Sequence, residues 1–200
     1  MEIFAAGDIH GDQNLVKKLV QESKEADLVI LCGDLTYFGK SSTNIIGPFI
    51  QAGKTAIILP GNHEDIATTD FLATYYNVKN LHGYSARYAN IGFFGAGGST
   101  EVGPSPKIAN NEMFLLLDKA HSRISYLDKK IMITHEHPAE SQIEKFTRFF
   151  RGSKAIRQAI DKFRPDILLC SHVHEAEGIE EKIGNTRIIN VGKKGKRIIL

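Results

Sequence analysis

Five hydrophobic runs of this 200-residue chain each stop at an aspartate, asparagine or histidine. The polar ends are Asp8-Ile9-His10, Asp34, Asn62-His63, His135-Glu136-His137 and His172-Val173-His174. These twelve positions hold six of the eight histidines in the chain. A single histidine at a strand end is more often a capping or surface residue, but five such ends argue for a common role. Because ligands of open α/β sheets bind outside the carboxyl ends of the strands, the pattern predicts one metal site assembled from strand ends.

The donor set at these ends combines imidazole, carboxylate and amide groups without a thiolate. This combination suits Mn²⁺, Fe²⁺ or Zn²⁺ better than Ca²⁺, which prefers oxygen ligands. In an extended segment, residues i and i+2 point to the same side, so we expect Asp8 with His10, and His172 with His174, each to bind as a unit. Such paired ligands suit two metal ions about 3.5–4 Å apart.

Composition is ordinary for a globular protein, with 42% hydrophobic and 24% charged residues. The length suits a single domain over residues 1–200. A net charge of +2 is too small to argue for nucleic acid by itself. The sequence contains no run of about eighteen apolar residues, so no membrane span is predicted. We expect a cytoplasmic protein, because the first predicted strand begins at Glu2 and leaves no room for a signal peptide.

Apolar strands alternate with segments of helical periodicity, which predicts an α/β fold. Helices are predicted over residues 12–25, 42–52, 64–76, 110–127 and from a Ser153 cap to Phe163. Strands of antiparallel character are predicted over residues 85–89, 92–95, 178–183, 187–191 and 196–200. The pattern therefore favours a pair of mixed sheets with helices outside over one parallel sheet.

Several other residues receive structural interpretations. Cys32 and Cys170 lie inside apolar strands without a CxxC spacing, so we expect buried thiols and neither a thiolate zinc site nor a disulfide. His82 is expected in a turn, and His121 on an exposed helix face. Residues 136–152 carry aromatics at helical spacing, which predicts a short amphipathic helix that either packs in the core or forms a lid over a substrate.

The motifs at the strand ends, taken in order, resemble those of the calcineurin-like metallophosphoesterases. They are Asp8-x-His10, Gly33-Asp34, Gly61-Asn62-His63-Glu64, Thr134-His135 and Ser171-His172-x-His174. Each motif alone is weak, but the ordered set spans residues 8–174. The resemblance implies a four-layer αββα fold, in which two mixed β-sheets pack as a sandwich flanked by helices.

The resemblance also implies a dinuclear metal site. Asp8, His10 and His174 would bind the first ion, and Asn62, His135 and His172 the second. Asp34 would bridge the two ions, and His63 would be the catalytic residue that contacts the phosphate or protonates the leaving oxygen. Two divalent ions are implied, with Mn²⁺ favoured and Fe²⁺, Zn²⁺ or Ni²⁺ as alternatives.

The implied activity is hydrolysis of a phosphate ester by in-line attack of a metal-bridging hydroxide. A small phosphate ester or a nucleotide is the expected substrate, and a diester is favoured over a monoester because the chain shows no large cap. The alternatives are a catalytically silent interaction scaffold of the same fold and a nuclease. The basic residues 193–197 are expected to be a solvated edge strand, with nucleic-acid binding the less favoured alternative, and the oligomeric state stays open.

The sequence departs from the family pattern at a few positions. Tyr37 stands where many members have a second aspartate, and Ser171 replaces the usual glycine before the last histidine pair. His137 is either a bystander or a contact to a ligand or substrate. Asn190-Val191-Gly192 either resembles a family element that packs near the site or is a plain hairpin exit. We expect residues 36–44, 95–109 and 136–152 to determine substrate choice.

Overall fold

The structure is a computed structural model that describes residues 1–40, 42–101, 107–147 and 151–200. Its helices are α1 (Gln13–Glu22), α2 (Gly47–Gln51), α3 (Ile66–Tyr75), α4 (Asn110–Ser122) and α5 (Lys154–Phe163). Its strands are β1 (Glu2–Ala6), β2 (Leu28–Leu31), β3 (Thr55–Ile58), β4 (Lys79–Asn80), β5 (Tyr84–Tyr88), β6 (Ile91–Ala96), β7 (Lys129–Thr134), β8 (Ile167–Cys170), β9 (Glu180–Ile183), β10 (Thr186–Asn190) and β11 (Lys196–Ile199). Short 3-10 helices cover Ile143–Phe146 and His174–Ala176.

The strands form two mixed sheets. The five-stranded sheet has the order β11-β1-β2-β3-β4, and only the β1–β11 pair is antiparallel. The six-stranded sheet has the order β5-β6-β7-β8-β10-β9, with antiparallel pairs at its two edges and parallel pairs in its centre. The predicted fold class of two mixed sheets flanked by helices is confirmed.

Alternation along the strands explains the four layers. In β1, Ile3 and Ala5 point into the core between the sheets, whereas Phe4 and Ala6 point into the core beneath the helices. In β7, Ile131 and Ile133 likewise face the inter-sheet core. Both faces of the central strands are therefore buried, which is why these strands read as continuous apolar runs instead of alternating ones.

The carboxyl ends of the central strands of both sheets carry the polar residues. The chain passes from β1, β2 and β3 of one sheet, and from β7 and β8 of the other, directly into the five polar motifs. Parallel neighbours end at the same edge of a sheet, so the packing of the two sheets brings all five ends to one side of the molecule.

The predicted helices differ from the observed ones mainly at their ends. Residues 42–52 form helix only from Gly47, because Pro48 suits the first turn of a helix and not its interior. Helix α5 begins as predicted, with the Ser153 hydroxyl accepting from the Ile156 amide. In the described part of residues 136–152, the predicted amphipathic helix is replaced by the 3-10 turn at Ile143–Phe146; residues 148–150 lie outside the described residues.

Three expectations about single residues have clear outcomes. Cys32 and Cys170 are buried free thiols, as predicted. His82 is not a simple turn residue, because it is mostly buried and its Nδ1 accepts from the Gly97 amide. His121 is not fully exposed either, since its ring stacks on Phe163 at a centroid distance of 4.4 Å.

Within the described ranges, no helix has the length and apolar character needed to cross a bilayer.

The inter-sheet core predicts a large stability difference between two isoleucines. Ile30 is fully buried between the sheets, whereas Ile199 on the edge strand β11 is 83% exposed. We expect Ile30→Ala to lower the free energy of unfolding by about 2–5 kcal/mol, because it leaves a cavity. The control Ile199→Ala is expected to change it by less than about 0.5 kcal/mol. Urea unfolding measures both, and equal effects would contradict the packing described here.

Candidate metal centre

The loops after the five strands bring all eight predicted site residues together. Three groups of carboxylate and imidazole ligand atoms each fall within 4.8 Å of one another. These groups are Asp8, His10 and His174; His10, Asp34 and His63; and Asp34, His135 and His172. Asn62 joins the third group through a 2.9 Å contact between its Oδ1 and His135 Nε2.

The first group consists of Asp8, His10 and His174. The Nε2 atoms of the two histidines face each other at 3.4 Å, and Asp8 Oδ2 lies 3.8 Å from His174 Nε2. Asp8 is fully buried, and its Oδ2 accepts no hydrogen bond from any described residue. A buried carboxylate oxygen without a donor is costly, so this corner of the site favours a cation.

The third group is centred on His135. Its Nδ1 lies 2.8 Å from the Cys32 carbonyl oxygen, which can only accept a hydrogen bond. In the neutral ring, Nδ1 therefore carries the proton and Nε2 presents a lone pair. That lone pair faces Asn62 Oδ1 at 2.9 Å, His172 Nδ1 at 3.2 Å and Asp34 Oδ2 at 3.4 Å. Such a convergence of acceptor atoms is typical of a metal site.

Asp34 connects His10 of the first group to His135 of the third. Its Oδ2 lies 3.7 Å from His10 Nε2 and 3.4 Å from His135 Nε2. Its Oδ1 accepts a 2.9 Å hydrogen bond from the His63 amide, which fixes the carboxylate orientation. Asp34 therefore belongs both to the group with His10 and His63 and to the group with His135 and His172.

Charge at the centre is reflected in the pKa values of these residues. Burial raises the pKa of Asp8, whereas for Asp34 the effect of burial is outweighed by His135, His63 and His10, which hold its pKa below the usual range. Burial lowers the pKa of His135, but the carboxylates of Asp34 and Asp8 override it and raise the pKa to about 10. In the metal-free protein, a proton on His135 thus supplies positive charge that a cation would replace.

Two other imidazoles are held neutral. Burial lowers the pKa of His10 to about 4 and that of His172 to about 3. At neutral pH these rings are uncharged, and a neutral imidazole is the form that binds metals. His174 and His63 are more accessible, with side chains 44% and 21% exposed. The centre therefore combines a buried floor with an open side.

The backbone at the centre corrects one prediction. Asp8, His10, Asp34 and His172 have φ values of 55°, 49°, 51° and 72°, in the left-handed region. The segments are therefore not extended. Asp8 and His10 still share one group, whereas His172 and His174 belong to different groups. The loop after β1 bends because it is hydrogen-bonded to the loop after β2, with His10 N donating to Asp34 O at 2.8 Å.

The chain is similar to a known protein family over most of its length. The family described as calcineurin-like phosphoesterase matches residues 1–176, most of the chain. The chain belongs to this family. Membership and the carboxylate–imidazole groups together indicate a dinuclear divalent metal site and a hydrolase that acts on phosphate ester bonds.

Individual relatives match nearly the whole chain, and the solved structures share its fold. "Uncharacterized protein MJ1162" of Methanocaldococcus jannaschii is 28% identical over 204 residues, covering 97% of this chain and 89% of the relative. The crystal structure of TT1561 of Thermus thermophilus is 16% identical with a TM-score of 0.75, covering 96% and 90% of the two chains. A dimetal phosphatase from Danio rerio is 11% identical with a TM-score of 0.67, covering 96% and 87%. The two solved structures therefore share the fold of this chain.

Glu64 supports the centre in a way that the sequence analysis missed. This buried carboxylate accepts hydrogen bonds from the amides of Gly61 at 2.9 Å, Leu35 at 3.1 Å and Thr36 at 3.3 Å. It therefore ties the loop after β3, which carries Asn62, to the loop after β2. Burial raises its pKa to about 7, and Asp34 adds to the shift. Its place in the Asn-His-Glu motif was the available signal.

Two further residues hold the loop after β8, which carries His172 and His174. The Ser171 hydroxyl donates to the Cys32 carbonyl at 2.7 Å, which links β8 of one sheet to β2 of the other. Asn190 Nδ2 donates to the Val173 carbonyl at 2.8 Å and so holds the loop between the last two histidines. Of the two interpretations of residues 190–192, packing near the site is therefore correct.

His137 is not brought into any of the groups found among the described residues. It is fully buried, and burial lowers its pKa to about 4. A direct contact to substrate is therefore excluded in this conformation. Its neighbour Glu136 accepts from the Thr100 amide at 2.8 Å and hydroxyl at 3.1 Å.

The role of Glu64 can be tested by Glu64→Gln. The amide retains the size but replaces one acceptor oxygen by a donor, so that even in the better orientation the buried Thr36 amide loses its partner. We expect the free energy of unfolding to fall by about 1–3 kcal/mol. The matched control is Glu22→Gln on the exposed end of α1, which is expected to be neutral. Urea unfolding of both variants decides, and unchanged stability of Glu64→Gln would show that the carboxylate does not tie the loops.

Proposed function

We propose that this protein is a phosphoesterase that uses two divalent cations held at the strand ends. Asp8, His10 and His174 would hold the first cation. Asn62, His135 and His172 would hold the second, and Asp34 would be a ligand common to both. The observation that carries the proposal is the position of Asp34 Oδ2, within 3.7 Å of His10 Nε2 and 3.4 Å of His135 Nε2.

The residues present fit such a pair of cations. Acceptor atoms converge on His135 Nε2, and the buried Oδ2 of Asp8 accepts no hydrogen bond from the described residues. Imidazole with carboxylate and amide oxygen suits Mn²⁺, which we favour, and also Fe²⁺, Zn²⁺ or Ni²⁺. When bound, the cations lower the pKa of a coordinated water and neutralise negative charge on the phosphate ester.

His63 is the proposed catalytic residue. Its Nε2 lies 3.9 Å from Asp34 Oδ2, farther than the imidazoles of His10 and His135, and its side chain is partly exposed. Its backbone amide is fixed to Asp34 Oδ1, so the ring is positioned relative to the metal centre. We place it at the oxygen of the substrate that leaves phosphorus, where it donates a hydrogen bond or a proton.

We propose a small phosphate ester or nucleotide as the substrate and favour a diester. The exposure of the His63 and His174 side chains supports this choice, because an open side leaves room for a second ester substituent.

We further propose a single domain over residues 1–200, since β1 pairs with β11 and places residues 2 and 199 side by side. A cytoplasmic location is supported by the two buried free thiols.

The activity is tested with bis-p-nitrophenyl phosphate and p-nitrophenyl phosphate. We expect turnover with added Mn²⁺, its loss on chelation, and a higher kcat/KM for the diester because the open centre accepts both substituents. Calorimetry of Mn²⁺ binding is measured alongside. Bound metal without turnover of either ester, or of nucleotides, would refute the proposal.

The His63→Ala variant separates an enzyme from an interaction scaffold. Loss of a positioned proton donor is expected to reduce kcat by about 10²–10⁴-fold, while Mn²⁺ stoichiometry stays unchanged. His121→Ala on α4, away from the centre, serves as the matched histidine control. Equal activity of the two variants would remove the catalytic role of His63.

A further inference from the structure

Two exposed aromatic side chains lie directly beside the proposed catalytic histidine. Tyr37 is 53% and Phe38 46% exposed. The ring of Phe38 lies 4.5 Å from that of His63, and the ring of Tyr37 lies 5.9 Å from it, centroid to centroid. The two aromatic rings contact each other at 4.6 Å. Residues 37 and 38 therefore form one apolar surface at the edge of a polar centre, which we call the aromatic platform.

The backbone holds the platform in an unusual conformation. Tyr37 and Lys40 exchange two backbone hydrogen bonds of 3.1 and 3.0 Å around Phe38 and Gly39. The φ values of Phe38 and Gly39 are 53° and 70°, as in the two central positions of a tight hairpin turn. Glycine or asparagine suits such positions, whereas a bulky side chain there is rare. Strained residues of this kind cluster at functional sites, where the surrounding structure holds them in place.

The platform is anchored to the same carboxylate that supports the metal loops. The Gly39 amide donates to the Thr36 hydroxyl at 3.1 Å, and that hydroxyl lies 3.4 Å from Glu64 Oε2. Glu64 also holds the loop that carries Asn62 through the Gly61 amide. The position of the platform relative to the centre is thus fixed by one short chain of hydrogen bonds.

Exposed aromatics do not by themselves indicate a binding site, because folded proteins expose many apolar atoms. Phe71 and Tyr75 on α3 are a second exposed pair, 62% and 69% exposed with rings 5.8 Å apart. That pair lies on a helix at i and i+4 spacing and has no ring contact with a histidine of the centre among the described residues. The platform differs because both of its rings contact His63.

We infer that Tyr37 and Phe38 bind a planar aromatic group of the substrate by stacking, and that the substrate class is a phosphate ester of a nucleoside. This inference rests on the proposed function, because His63 is placed at the leaving oxygen and the platform contacts His63. The group attached to that oxygen therefore lies beside the platform. Aromatic side chains stack on nucleobases of any type, since every base offers a π-face.

The first test compares substrates that differ only in the base. Adenosine 5′-monophosphate and ribose 5-phosphate share the leaving oxygen, and a dinucleotide with its abasic counterpart gives the same comparison for a diester. For the Mn²⁺-loaded wild type, we expect kcat/KM to be about tenfold or more higher for the base-bearing member of the cleaved pair. In the double variant Tyr37→Leu with Phe38→Leu, the ratio is expected to fall to about one.

The matched control is the double variant Phe71→Leu with Tyr75→Leu. It removes the same number of exposed aromatic rings of the same types and is expected to keep the wild-type ratio. Leucine retains an apolar side chain at each position, and the thermal unfolding midpoint checks that both variants are folded. An unchanged ratio in the platform variant, or an equal loss in the control variant, would overturn the inference.

A second test reads binding without turnover. An adenosine monophosphate analogue with a methylene group in place of the leaving oxygen is added to the diamagnetic Zn²⁺-loaded protein. We expect saturation-transfer NMR signals on the adenine protons in the wild type and the control variant, and their loss in the platform variant. Platform-dependent signals without hydrolysis of any ester would refute the proposed phosphoesterase activity but would support binding of the base by the aromatic platform. Hydrolysis without base preference or signals would refute the platform alone.

Discussion

The carboxylate of Asp34 is buried where the carboxyl ends of both sheets meet, and the arrangement of the centre depends on how its charge is balanced. A buried carboxylate is costly unless positive charge or hydrogen-bond donors surround it. Here the His63 amide donates to one oxygen, while the imidazoles of His10 and His135 approach the other. Without a cation, a proton on His135 supplies the balancing charge, as the rise of its pKa to about 10 indicates.

The loops around Asp34 are held by a few buried polar side chains. Glu64 joins the loops after β2 and β3 within one sheet, and Ser171 joins β8 to β2 across the sheets. Gly61 is required because a Cβ at this position would overlap with Asp34 Oδ1. The same Glu64 anchors the aromatic platform through Thr36. One hydrogen-bond network therefore holds both the loops of the centre and the turn at residues 37–40.

The sequence allowed the fold and the gathering of the site residues to be predicted, because strands buried on both faces appear as apolar runs and their polar ends stand out. The conformation of those ends was not predictable. The sign of φ at Asp8 and His10 follows from hydrogen bonds to a distant loop, not from the residue types. For the same reason, the burial of His137 and the stacking of His121 on Phe163 are set by tertiary packing that periodicity does not reveal.

The most direct test of the account is a crystal of the protein grown with Mn²⁺ and measured for anomalous scattering. We predict two anomalous peaks about 3.5–4 Å apart, with the Asp34 carboxylate bound to both. The peak nearer β1 should be bound by Asp8, His10 and His174, and the other by Asn62, His135 and His172. A single peak, or two peaks that do not share Asp34, would contradict the dinuclear centre.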